Sequence, residues 1–247
     1  MRQPDKTLAP LISPILKGFK KRYNLALSFQ NESRDGFYNV QFNSETWPAG
    51  AVRSYGYHEV EVFFSLRCNA VTDLILAMEE RDRENMNNWG PNDGRFTVQR
   101  MVNYYPFDDD RDKEWTIRHD RLEADCIEAA EKFRDLMETE GFAWFERYSD
   151  PLNISRDVNE PIGAELKSRK GHPLMPRHSE RAKIGLAAAC VAEPERVPEL
   201  YQQWLDWVRA ADEYHMGRGT RSEPNVPRYE CRFDYIIDEA RKVGYDV

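Results

Sequence analysis

The sequence predicts an α+β protein, in which an antiparallel sheet of about five strands with flanking helices is followed by a helical C-terminal half. Three observations indicate this class. Apolar and polar residues alternate in the first half, the apolar period becomes helical beyond Asp120, and 247 residues suffice for one large domain. We therefore expect a single domain over residues 1–247, with a sheet-rich half at 1–119 and a helical half at 120–247.

The sheet-rich half begins with a short predicted helix from Pro10 to Lys17, which Gly18 would end. Apolar residues at every second position then predict strands, bounded by polar or glycine-containing turns. The predicted strands are Leu25 to Phe29, Tyr38 to Phe42, Val60 to Leu66, Phe96 to Tyr105 and Lys113 to Arg118. We expect the first three to pair antiparallel, with their inward face covered by a helix that carries Leu74 and Ile75.

The helical half is predicted from stripes of apolar side chains three and four residues apart. One stripe runs from Leu122 to Glu140, and Gly141 is placed to end that helix. Asp150 followed by Pro151 indicates the capped start of another helix. Further stripes lie at Val197 to Ala211 and Phe233 to Val243, and the small residues between Ile184 and Val191 favour close helix contact.

Composition narrows the function classes. A 40% hydrophobic and 32% charged chain indicates a folded, well-solvated protein, and it has no apolar run long enough to cross a membrane. No signal sequence begins the chain, so we expect a cytoplasmic location. The net charge of −8 argues against nucleic-acid binding, and so does the lack of a recognisable nucleic-acid-binding module. Oligomeric state stays open.

No motif predicts a catalytic residue, a metal site or a cofactor. The four cysteines, Cys68, Cys126, Cys190 and Cys231, form no Cys-x-x-Cys pair, so we expect reduced thiols. Asp108, Asp110 and Asp112 have the spacing that opens an EF-hand loop. However, Lys113 occupies the position that requires glycine, and His119 the position that requires glutamate, so we predict no metal there.

The distribution of charge is the most informative feature. From Phe107 to Glu140 there are 13 acidic and 6 basic residues, which accounts for −7 of the net charge of −8. A clustered field of this kind steers a cationic partner toward one surface. The predicted partner-binding residues are the acidic Asp108, Asp109, Asp110, Asp112 and Glu114, with the aromatic Tyr104, Tyr105 and Trp115 beside them.

The N-terminal part carries a more specific pattern. Leu16-Lys17-Gly18-Phe19-Lys20-Lys21 is followed by Gln30-Asn31-Glu32 and by Gly36-Phe37-Tyr38-Asn39-Val40-Gln41-Phe42. This order resembles a bacterial domain family of unknown function, some of whose cytoplasmic members are suspected immunity proteins against contact-delivered toxins. Gly141-Phe142-Ala143-Trp144-Phe145-Glu146 is similar to a later pattern of that family. The resemblance implies a non-enzymatic protein that blocks a basic partner such as a nuclease.

Two hypotheses follow from the sequence. The first is a bacterial, immunity-like binding protein that engages a basic protein through an acidic surface. The alternative is a hydrolase or other enzyme with a carboxylate-lined cleft between the sheet and the helical half. The 43 acidic residues leave that alternative open, because linear spacing does not reveal which carboxylates share a cleft.

Overall fold

The computed structural model describes residues 7–8, 10–15, 17–18, 38–45, 57–85, 98–101, 116–160, 162, 178–220 and 223–247. The chain divides into two compact units, each made of two stretches. The first unit is Met1–Leu66 with Gln99–Glu146, and the second is Arg67–Val98 with Arg147–Val247. The expectation of a single domain with halves at 1–119 and 120–247 stays a prediction.

The described strands form one sheet. They are β1 (Tyr38–Glu45), β2 (Tyr57–Leu66), β3 (Val98–Met101) and β4 (Thr116–Arg118). β2 is antiparallel to β1, with Tyr38 opposite Leu66, and β3 also neighbours β2. β4 is antiparallel to β2, with Thr116 opposite Glu59.

The described helices follow in chain order. They are α1 (Asn69–Asn85), α2 (Leu122–Leu136), α3 (Phe142–Tyr148), α4 (Pro151–Asn159), α5 (His178–Ala192), α6 (Val197–Gly217) and α7 (Val226–Lys242). Residues 10–15 are also helical, and their Ile12 and Ile15 are buried. No described helix is both long and apolar enough to span a membrane.

The predicted fold class, α+β with a five-stranded sheet, is wrong because the described chain is mainly helical. β3 and β4 have only four and three residues, and the predicted strand from Leu25 to Phe29 lies outside the described residues. Short alternating runs occur in both strands and loops, whereas the long apolar stripes beyond Asp120 specify helices strongly. The sheet is therefore a minor part of the described chain.

Along the chain, α2 continues into α3 without a break. Gly141, which we expected to end the helix, lies in a π-helical turn, Met137–Gly141, where the Phe142 N–H donates to the Met137 carbonyl. Thr139 Oγ1 of this turn donates to the carbonyl of Asp135 in the last turn of α2, at 2.7 Å. Gly141 is buried and helical here, so its freedom to adopt a left-handed conformation is not used.

In the second unit, α5 is the central helix and contacts α1, α4, α6 and α7. Every residue from Arg181 to Cys190 is buried. Gly185 explains the close approach of α4, since a Cβ at this position would lie 2.1 Å from Asn159 Oδ1. The predicted close helix contact in the segment from Ile184 to Val191 is thus confirmed.

Side chains from the second unit also specify where two of its helices begin. Asp150 Oδ1 accepts the Leu152 N–H at 2.9 Å ahead of Pro151, which confirms the predicted start of α4. Asp212 of α6 accepts the backbone N–H groups of Asn225 and Val226, so a buried carboxylate from one helix caps the next.

Candidate partner-binding surface

The residues predicted to bind a partner lie outside the described part of the chain. They are Tyr104, Tyr105, Asp108, Asp109, Asp110, Asp112, Glu114 and Trp115. The described part of the same acidic segment begins at Thr116 and runs through β4, a 3₁₀ turn (His119–Arg121), α2 and the π-helical turn. The geometry of the candidate surface therefore comes from this second portion.

One carboxylate of this portion supports the fold. Asp125 is buried and accepts the backbone N–H and Nε of Arg118, each at 2.9 Å, while Arg118 Nη2 donates to its other oxygen at 3.1 Å. Arg121 Nε lies 3.5 Å away. The hydrogen bonds from Arg118 lower the pKa of Asp125 to about 2, against the opposing effect of burial. Asp125 thus joins β4 to the first turn of α2.

Four other carboxylates project into solvent from α2. We call Glu123, Glu128, Glu131 and Asp135 the acidic face of α2, because all four are exposed, whereas Cys126 and Phe133 of the same helix are buried. Arg134 is the exposed basic residue within α2, whereas Lys132 is half-buried and bonds Glu128 at 2.8 Å. That bond lowers the pKa of Glu128. The face keeps a net negative charge.

An apolar residue lies within the acidic face of α2. Ile127 is 43% exposed, and four-residue spacing puts it in line between Glu123 and Glu131. The other large apolar side chains exposed among the described residues lie in the last turn of α6 or after α7; they are Tyr214, Met216 and Val243. Ile127 differs from them because it lies in mid-helix among charged neighbours.

The π-helical turn carries exposed polar residues directly after α2. Glu138, Thr139 and Glu140 are consecutive and all exposed. Their backbone is held by the Thr139 hydrogen bond and by the wide Phe142-to-Met137 bond. Such turns are frequent at functional sites, because they change the direction of side chains within a helix. Two further exposed carboxylates thus follow α2.

The described residues do not support a metal site or a nucleophilic cysteine. No group of three His, Cys, Asp or Glu side chains among them could hold a metal ion. All four cysteines are free thiols, and Cys126 and Cys190 are buried. Desolvation raises the pKa of Cys126 to about 11 and that of Cys190 to about 12, which disfavours the nucleophilic thiolate.

A buried polar cluster in the second unit also has a structural role. Asn159 Nδ2 donates to the Gly185 carbonyl at 3.0 Å and to Ser155 Oγ at 3.2 Å, and Asn159 Oδ1 accepts the Trp204 indole N–H at 2.8 Å. Each polar group of the amide is thereby satisfied. Sequence reasoning missed this cluster because no linear motif links its members, although Gly185 within an alanine-rich helix was a signal for close contact.

Ion pairs join the helices of the same unit. Lys183 Nζ lies 3.1 Å from Glu79 Oε1, and Arg232 Nε donates to Asp82 Oδ2 at 2.8 Å. Arg81 contacts Glu239 at 3.2 Å and stacks over the ring of Tyr235. These carboxylates balance neighbouring cations, so they hold helices together. The alternative of an enzyme with a carboxylate-lined cleft stays a prediction.

Comparison with known proteins found no matching family model, curated protein or solved structure for this chain. The likeness of its N-terminal part to a bacterial family of unknown function stays a prediction. The candidate surface rests on its own geometry.

Proposed function

We propose that this protein is a non-enzymatic, immunity-like binding protein of bacterial type, which engages a cationic protein partner through its acidic segment. The observation that carries the proposal is the acidic face of α2. Four exposed carboxylates accompany one exposed arginine, and a mid-helix isoleucine is exposed among them. None of the four carboxylates lies in the apolar core, so all four are available on the surface to contact a partner.

The acidic face of α2 is expected to speed the association of a cationic partner. Exposed charges act mainly on the rate of association, because they attract the opposite charge over distances close to the Debye length. That length is about 10 Å at 0.1 M salt and about 3 Å at 1 M. Capture of a cationic partner should therefore weaken as salt increases. The predicted residues from Asp108 to Glu114 would extend the same field.

The experiment neutralises carboxylates by substitutions that keep the size of each side chain nearly unchanged. In one variant the acidic face of α2 is neutralised by Glu123→Gln, Glu128→Gln, Glu131→Gln and Asp135→Asn. A matched control removes four exposed carboxylates in and just before α6, by Glu195→Gln, Glu199→Gln, Asp206→Asn and Glu213→Gln. Both variants change the net charge equally, so only the position of the lost charge differs.

Wild type and both variants are used as bait in a lysate of the source cells, and association kinetics are then measured with the captured protein. We expect a basic partner that the wild type and the α6 control capture at low salt. The α2 variant should associate roughly tenfold more slowly. Equal association rates for the two variants would reject the proposal, because the effect would then depend only on net charge.

A further inference from the structure

We infer that the partner contributes an amphipathic helix, which lies along α2 with an apolar side chain against Ile127 and basic side chains facing the acidic face of α2. This inference rests on the proposed function and specifies the chemistry of the partner. It also assigns a role to Ile127, whose side chain is 43% exposed and is not among the buried residues of the core.

The spacing on α2 defines what the partner must present. Glu123, Ile127 and Glu131 are four residues apart, so neighbouring members lie about 6 Å apart along the helix axis. The two carboxylates are then separated by about 12 Å, with the apolar side chain midway between them. A complementary helix offers the same spacing when a lysine or arginine stands four residues before, and another four residues after, an apolar residue.

Backbone hydrogen bonding favours a helix over an extended segment in the partner. An extended strand needs the free edge of a sheet for its N–H and C=O groups. The backbone of α2 is already bonded internally and offers no such edge. A partner helix satisfies its own backbone, so it can cover Ile127 without burying unpaired polar groups.

Charge also limits how the partner helix can lie. Asp135 continues the line of Glu123, Ile127 and Glu131, whereas Glu128 falls to one side of this line and Arg134 to the other. Basic side chains of the partner are therefore attracted to the Glu128 side and repelled near Arg134. A single apolar contact flanked by charge gives modest affinity, and the charge pattern selects the orientation.

The inference can be tested with a designed peptide as the probe. An alanine-based helix of about 16 residues carries one central leucine, with lysine four residues before and four residues after it. The control peptide has the same composition, but its leucine is moved two residues along, which places it on the opposite side of the helix. Binding of each peptide to the full chain is measured by titration at low salt.

We expect the facing peptide to bind roughly fivefold more tightly than the control peptide. Ile127→Ala should remove most of that difference, because it deletes the apolar contact while leaving every charge. Equal affinities of the two peptides, or no effect of Ile127→Ala, would overturn the inference. If both peptides then still bind in a salt-dependent way, the helix inference fails but the proposed function does not. The proposed function is tested separately, by the lysate experiment.

Discussion

The indole N–H of Trp204 in α6 donates to Asn159 Oδ1 at the end of α4, at 2.8 Å and in the core of the second unit. The same amide also donates to the Gly185 carbonyl of α5. One side chain thus ties three helices together. Because its partners are buried, they have no water to replace a lost hydrogen bond.

Replacing Asn159 by alanine should destabilise the protein by about 2–3 kcal/mol, since it leaves the indole N–H of Trp204 and the Gly185 carbonyl without this amide. Urea unfolding followed by circular dichroism measures the change. The exposed Gln203→Ala in the same helix as Trp204 is the control and should change stability by less than about 0.5 kcal/mol. Equal effects of the two substitutions would contradict the structural role of Asn159.

Gly185→Ala tests the close approach of α4 and α5. The added Cβ would lie 2.1 Å from Asn159 Oδ1 and 3.1 Å from Val158 Cγ1, so the helices must separate or Asn159 must rotate. We expect a loss of about 2 kcal/mol or more in the free energy of unfolding. Gly217→Ala in α6 is the matched control, because a Cβ there meets nothing within 4 Å. Unchanged stability in the Gly185 variant would mean that the two helices are farther apart.

Asp125 should make stability depend on pH in acid. Its folded pKa is lowered from 3.8 to about 2, so its ionised form adds stability above pH 3.8, which is lost as pH falls toward 2. The shift corresponds to at most about 2 kcal/mol, because the Arg118 side chain is 47% exposed and solvent screens the ion pair. Urea midpoints measured between pH 2 and pH 7 should show this loss of stability in the wild type. The Asp125→Asn variant should lack the part of the pH dependence that comes from protonation of Asp125. The exposed Asp120→Asn serves as control and should retain the wild-type dependence.

The four thiols should react in two groups. Cys68 and Cys231 are half-buried, whereas Cys126 and Cys190 are buried, with pKa values raised to about 11 and about 12. Alkylation of the native protein near pH 8, followed by mass spectrometry, should therefore modify Cys68 and Cys231 first. The unfolded chain should titrate for all four thiols. Early modification of Cys190 would place α5 at the surface and contradict its central position.

Long periodic patterns were the reliable part of the sequence. The apolar stripes in α2, α6 and α7 predicted helices, and Asp150 with Pro151 predicted the start of α4, because each signal depends only on local geometry and capping. The five-stranded sheet was wrong, since short alternating runs do not specify how many strands pair. The prediction that Gly141 ends a helix was also wrong. The wide hydrogen bond from Phe142 to Met137, which continues the helix, has no recognisable pattern in the local sequence.

By itself, the sequence determined the concentration of negative charge between Phe107 and Glu140 and the helical character of the chain that follows. Only the tertiary structure decided which carboxylates are available. Asp125 is buried against Arg118, whereas Glu123 and Glu131 flank an exposed Ile127. The physical reason is that charge is a property of each residue, whereas exposure and pairing arise from contacts between segments that helical packing brings together.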